Sequence, residues 1–344
     1  MRLSPALLAA FAAVPAAAAQ DLPEVELRAA EKLKFPASTD SNSPCHWDGD
    51  TLHLFTSAGH PFRSSGAGLA GLGKAERCAY DNEKGFNGGR WIECTWKEEG
   101  GSLYGWYHNE PGGVCPGRKN LTAPKIGAVV SQDNGATWKD LGFVLEAPPD
   151  SLNPATENRY FVGGNGDFSV MLDARKENLY FFISTYDRDV AEQGVSVARM
   201  KWADRDQPSG KVWKWHRGGW GEAGRGGHVT PVFPAKTDWH RKDADAFWGP
   251  SIHWNTHLET YVMLLNRTKD ADWKQEGHYV AFNRDLSDPK GWSGPRKVRD
   301  GGSWYGQVVG LEKGGTDKLA GRVARFFVHG RSEWEIVFKK PGEK

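Results

Sequence analysis

The chain has 344 residues, and its 44 Lys and Arg nearly balance its 43 Asp and Glu, for a formal charge of +1. So even a balance offers no basic excess to a nucleic acid or an anionic membrane surface, and neither is expected as a partner. Sixteen tryptophans, 42 glycines and only four methionines suit short strands and tight turns better than long amphipathic helices.

The N-terminus reads Met1-Arg2, then an apolar stretch over residues 5–16, then Ala17-Ala18-Ala19-Gln20. One early positive charge, a short apolar core and an Ala-x-Ala site form the secretory pattern. The run falls below the roughly 20 apolar residues that a spanning helix needs. Residues 1–20 are therefore expected to be a cleaved signal peptide, leaving a secreted or periplasmic protein with no membrane insertion. Their removal takes away Arg2 and no acid, so 43 basic residues then face 43 acidic ones. Cys45, Cys78, Cys94 and Cys115 make an even number in an exported chain, which predicts at least one disulfide. A loop-to-loop or loop-to-strand pairing is favoured over Cys45–Cys94. No C-x-x-C or H-x-x-x-H spacing suggests a zinc site.

From residue 43 onward a two-strand unit repeats five times: a strand, a polar turn, then a more apolar strand. The copies are residues 43–47 with 52–56, 91–96 with 103–108, 167–172 with 179–183, 248–253 with 261–265, and 305–309 with 324–328. Further amphipathic strands follow, as in 127–132 with 138–145, 195–202 with 212–215, and 279–283 with 296–299. Four antiparallel strands per unit is the make-up of a propeller blade, and radial repetition leaves only short, protected edges. The sequence thus predicts an all-β chain: one five-bladed β-propeller over residues 21–344. A two-sheet jelly roll would need no such repeated hairpin.

Residues 131–138, Ser-Gln-Asp-Asn-Gly-Ala-Thr-Trp, resemble the Asp-box of sialidase-type propellers, S-x-D-x-G-x-T-W. Its Ser and Asp cap a tight hairpin, Gly takes a positive φ and Trp packs beneath. Such hairpins lie away from the binding face.

In a propeller the first strand of each blade lines the axis and the second runs antiparallel to it. The starts of first strands and the ends of second strands therefore share one face. The starts supply Asp40, Glu93, Asp167, Trp248, Trp304 and Tyr305. The ends supply His108, Glu110, Arg188, Asn266, Arg267, His329 and Arg331. Carboxylates can move protons, arginines and amides can hold hydroxyls or carboxylates, and aromatic faces can stack on sugar rings. Asp40, Glu93, Asp167 and Glu110 are the catalytic candidates. His108, Arg188, Trp248, Asn266, Arg267, Trp304, Tyr305, His329 and Arg331 are the substrate-binding candidates. No metal ligand or cofactor is expected, and an axial calcium ion has no ligand motif behind it.

Gly166-Asp167-Phe168-Ser169-Val170-Met171-Leu172-Asp173, followed by Leu179-Tyr180-Phe181, resembles the D-P-S-V-x-x-D…Y-L of glycoside hydrolase family 43. Trp248-Gly249-Pro250-Ser251-Ile252 is similar to that family's E-G-P-x-I, and Gly49-Asp50-Thr51 with Leu54-Phe55 is similar to its G-D-T-Y-Y-L-F. The resemblance implies an Asp base or nucleophile, an Asp that tunes pKa and orients substrate, and a Glu acid. Asp167 matches one Asp position. Ser43 stands before Pro44 where the first-blade Asp would be, with Asp40 the nearest acid, and Trp248 replaces the Glu. The acid then falls to Glu93 or Glu110. The expected function is a secreted glycoside hydrolase that acts as a monomer on a poly- or oligosaccharide with a pair of carboxylates. Two alternatives stand beside it: a sialidase-like hydrolase using the three arginines on an anionic sugar, and a non-catalytic glycan-binding propeller.

Overall fold

A strand packed on both faces reads as a continuous apolar run, and one half-exposed reads as an alternation. Both kinds occur in order within each sheet of the computed structural model, which describes residues 22–344. The predicted signal peptide, residues 1–20, lies outside the described residues. The inner strand Asn165–Leu172 is buried at every position, whereas the outermost Glu24–Lys34 alternates between partly buried and exposed. Among the described residues no helix is long and apolar enough to cross a membrane.

Five sheets form the five blades of a β-propeller. Their inner strand pairs are Cys45–Asp48 with Thr51–Ser57, Gly89–Lys97 with Leu103–Glu110, Asn165–Leu172 with Asn178–Thr185, Ala246–Asn255 with Thr260–Thr268, and Gly306–Gly310 with Val323–Val328. These are the five pairs expected from the repeat. The N-terminal strand was not legible: Glu24–Lys34 pairs with Arg331–Lys339, Glu24 opposite Lys339 and Lys34 opposite Arg331. An N-terminal strand therefore completes the last blade and closes the ring.

Burial between blades holds the ring together, and each junction has its own apolar layer. Phe55 and Tyr107 meet between blades 1 and 2, Trp106 and Phe181 between 2 and 3, and Phe182 and Met263 between 3 and 4. Leu264 and Phe326 fill the next layer, and Phe327 and Leu54 the last. Fully burying such side chains contributes about 1.5–3 kcal/mol each.

All four cysteines are free and buried, which corrects the expected disulfide. They sit in four different clusters: Cys45 with Leu54, Cys78 with Trp138, Cys94 with Ile126 and Cys115 with Val162. The even count permitted pairing, but blade packing separates the thiols and uses each as a small hydrophobe. Burial pushes the Cys78 thiol up to about 12 and Cys94 up to about 11, so thiolate is scarce. Titration with a chromogenic disulfide reagent should find four thiols in the urea-unfolded chain and no fast-reacting thiol in the native one. Fewer than four in the unfolded chain would contradict the structure.

The hairpin over residues 131–137 has the capping expected of it. Asp133 Oδ1 accepts from Thr137 N–H at 2.9 Å and Ser131 Oγ accepts from Gly135 N–H at 2.8 Å. Gly135 has φ +81°, and a Cβ there would lie 2.3 Å from Phe55. Because Asn109 pairs with Lys125 and Leu103 with Ser131, this hairpin and the Asn109 end lie on opposite faces.

Candidate active site

Regular pairing would alternate the inner-strand side chains between neighbouring blades; three register shifts change this. In blade 2, Ile92 faces Tyr107 and Cys94 faces Trp106, which leaves Glu93 as the extra residue of a bulge. In blade 3, Gly166 faces Ser184 and Phe168 faces Ile183, which leaves Asp167 extra. In blade 4 the shift falls between Trp248 and Ser251, around Gly249-Pro250. A bulge re-aims its side chain. Gly249 adopts φ +55°, and a Cβ there would lie 2.5 Å from Asn266 Nδ2, so glycine is the residue that fits.

Asp40 precedes the first inner strand and its N–H donates to Ser57 O at 2.6 Å. That bond places it on the face where His108 and Glu110 end the second strand of blade 2. A cavity of about 230 Å3 opens here, lined by Asp40, His108, Glu110, Asp167, Trp248, Trp304 and Tyr305 together with Tyr160, Phe161 and Trp273. Phe161 stacks on Tyr186 at 4.6 Å, and Trp273 meets Trp248 edge-on at 4.6 Å. Trp304 Nε1–H donates to Trp273 O at 2.7 Å. The result is an aromatic box with acids on its wall and floor.

His108 links two acids. Its Nδ1 bonds Glu93 and its Nε2 lies 3.2 Å from Glu110 Oε1, while its ring stacks on Trp91 at 4.8 Å and 11°. The other Glu93 oxygen accepts from Phe168 N–H at 2.9 Å. Burial opposes a charge on His108, but Glu93 and Glu110 outweigh it and hold the imidazole's pKa well above its usual range. Burial, reinforced by the charge of Glu93, pushes Asp167 well above the usual carboxylate range. Asp167 Oδ1 is buried without a partner, and Tyr186 OH reaches Oδ2 at 3.4 Å. Burial and the nearby Glu110 also raise Asp40.

Glu93, His108 and Asp167 could each offer one ligand atom, all within 4.8 Å of one another. Calcium takes six to eight oxygens, and both Glu93 oxygens are already engaged. The donor set suits a proton better than that ion.

Of the thirteen predicted site residues, seven line the cavity. Glu93 supports it from behind through His108. Asn266 is buried and donates to Gly249 O at 3.1 Å, fixing the blade-4 bulge. His329 stands beside Tyr305, ring centroids 6.1 Å apart. Arg267 is locked in a two-bond pair with Asp245 at 2.8 and 2.9 Å. Arg188 and Arg331 are exposed and outside the cavity. Among the described residues no Lys or Arg lines it. Sequence reasoning missed Tyr160, Phe161 and Trp273. The first two lie in the long 146–164 connection, whose length was itself a signal, because long ordered loops in compact domains are commonly functional.

No family model and no curated protein matches the sequence. Solved structures do match. A glycoside hydrolase superposes with a TM-score of 0.56 at 12% identity, over 93% of this chain and 94% of that one. A thermostable family-43 glycoside hydrolase gives 0.53 at 11%, over 89% and 91%. Cellvibrio cellulosa α-L-arabinanase, complexed with arabinohexaose, gives 0.53 at 13%, over 90% and 96%. The likeness is one of fold.

Proposed function

We propose that the protein is an exported glycoside hydrolase that releases a terminal neutral sugar from a poly- or oligosaccharide. One observation carries the reading: a small aromatic cavity lined by Asp40, Glu110 and an Asp167 whose pKa burial and Glu93 hold well above the usual carboxylate range. At about 230 Å3 it falls under the ~300–1,000 Å3 of ordinary ligand pockets, which suits one sugar unit. Lacking a Lys or Arg, it favours a neutral sugar over the anionic one of the sialidase-like alternative. The Ala-x-Ala pattern at residues 17–19 supports export.

The Glu110 carboxylate passes to the glycosidic oxygen the proton that His108 Nε2 gives it, as the bond to the anomeric carbon breaks. The imidazolium already faces Glu110 at 3.2 Å, and the neutral ring left behind keeps its Nδ1 bond to Glu93. Asp40 takes a proton from the water whose oxygen bonds the anomeric carbon, and its raised pKa makes it a stronger base while ionised. This assignment answers the departure at Trp248: the acid comes from blade 2 in place of blade 4. Asp167 answers charge that develops on the sugar ring.

A panel of neutral oligosaccharides and their aryl glycosides, read as monosaccharide release, tests the proposal. Glu110→Gln and Asp40→Asn should each lower turnover by roughly 10²–10⁴-fold. Glu110→Gln should recover most of its loss on a dinitrophenyl glycoside, whose leaving group needs no acid. Binding without turnover across the panel would favour the non-catalytic alternative, which Trp248 in place of Glu supports.

A further inference from the structure

A cavity of about 230 Å3 takes one sugar unit, so the rest of a longer substrate must lie outside its mouth. Six of the lining residues are buried, and the other four bound the mouth: Asp40, Glu110 and Trp304 are partly buried, and Tyr160 is 42% exposed. These four fall into two pairs. Tyr160 O accepts from Thr122 N–H at 2.9 Å, and Thr122 Oγ1 donates at 2.8 Å to the carbonyl of Pro111, the residue after Glu110. Trp304 precedes Tyr305, whose OH donates to Asp40 Oδ1 at 3.4 Å. One edge of the mouth thus carries Glu110 with Tyr160, and the other carries Asp40 with Trp304.

Tyr160 is exposed but well anchored. Asn158 Oδ1 accepts from Tyr160 N–H at 2.8 Å and Phe161 N–H at 3.1 Å, and also from Trp273 Nε1–H at 3.3 Å. Arg159 pairs with Asp272, and the Tyr160 ring meets Trp273 edge-on at 5.8 Å. Trp273 itself sits at φ +61°, a left-handed conformation that costs a residue other than glycine about 1–3 kcal/mol. Two loops, one before blade 3 and one within blade 4, are therefore tied together at that cost. Their joint product is an aromatic ring held in solvent at the rim.

We propose that Tyr160 is the platform for the leaving-group sugar, the unit next to the one in the cavity, and that it sets a preference for oligosaccharides over single-sugar glycosides. The proposal rests on the reading of Glu110 as the acid. An acid must reach the glycosidic oxygen, so the sugar that departs with that oxygen lies at the acid's edge of the mouth. Tyr160 is the aromatic residue of that edge. A sugar ring packs its C–H face on an aromatic ring, and a ring already fixed in place loses little freedom on binding. Since the hydroxyls of this second sugar stay in water, the preference is for chain length more than for the second sugar's identity.

Two measurements test this. The first compares kcat/KM on a trisaccharide that the panel identifies with kcat/KM on the glycosyl fluoride of its terminal sugar, whose leaving group is a single atom. Tyr160→Ala should lower the trisaccharide value about tenfold more than the fluoride value, whereas Tyr160→Phe, which keeps the ring, and Trp304→Ala, on the other edge, should lower the two alike. Equal losses in Tyr160→Ala overturn the proposal, and so does a loss selective for the trisaccharide in Trp304→Ala alone. The second needs no turnover. In calorimetric titrations of the Asp40→Asn protein, neutral trisaccharides of arabinose, xylose, galactose and glucose are compared with their monosaccharides. At least one trisaccharide should bind about tenfold more tightly than its monosaccharide, and adding Tyr160→Ala should erase that gain. A gain that survives Tyr160→Ala, or no gain in any of the four pairs, overturns the proposal. The reading of Glu110 as the acid fails by a different sign, absence of turnover in the unmodified protein.

Discussion

Asp167→Asn is expected to leave the five blades folded and to lower turnover by roughly 10²–10⁴-fold on the substrate that the panel identifies. Burial and the charge of Glu93 hold its pKa well above the usual carboxylate range and so favour the neutral form. Positive charge building on a sugar ring beside it would reverse that balance and favour the carboxylate, its proton passing to the neighbouring Glu93 carboxylate within 4.8 Å. That interaction exists only in the transition state, which is the kind that accelerates a reaction. Asn keeps the size and the contact with Tyr186 but cannot ionise. Loss should therefore appear in kcat, with KM changed little. Asp133→Asn in the capped hairpin on the far face is the control: it should lower the melting temperature and leave kcat intact. Full activity in Asp167→Asn would remove Asp167 from the mechanism.

Glu93→Ala is expected to be the most destabilising single change at the site, by about 3–5 kcal/mol, the usual cost of stranding one partner of a buried ion pair. It would leave the imidazolium of His108 facing a void and take the acceptor from Phe168 N–H. Glu93→Gln keeps the shape and one acceptor, so it should cost less and allow the pH dependence to be followed. Folding raises the pKa of His108 well above the ordinary 6.5, because Glu93 and Glu110 outweigh the effect of burial. The stability tied to that charge is fully present below pH 6.5 and is lost as pH rises through the folded value. In urea titrations the gap between the unmodified protein and Glu93→Gln should be widest below pH 6.5 and narrow on the alkaline side. A gap that widens with pH would mean that His108 is not the charged partner.

The sequence alone determined the strand content, the five hairpins and the face on which the acids gather. These follow from local rules: period-two alternation, turn residues, and the antiparallel geometry that puts strand starts beside strand ends. They brought Asp40, His108, Glu110, Asp167, Trp248, Trp304 and Tyr305 to one cavity without any statement about contacts. Tertiary structure decided where each side chain points. Glu93 and Asp167 are aimed by one-residue bulges, and a bulge leaves no mark in composition or spacing. Glu93 therefore bonds His108 from behind, away from the cavity it was expected to line. Arg267 was legible as a strand-end cation, but Asp245, 22 positions earlier, takes both its bonds. The cysteine count suggested a pair, and packing sent each thiol to a different layer. Glu24–Lys34 is highly charged for a strand, and only the edge of Arg331–Lys339, more than 290 residues away, makes it one. Local patterns fix what a segment can be; contacts between distant segments, formed only when the ring closes, choose its neighbours.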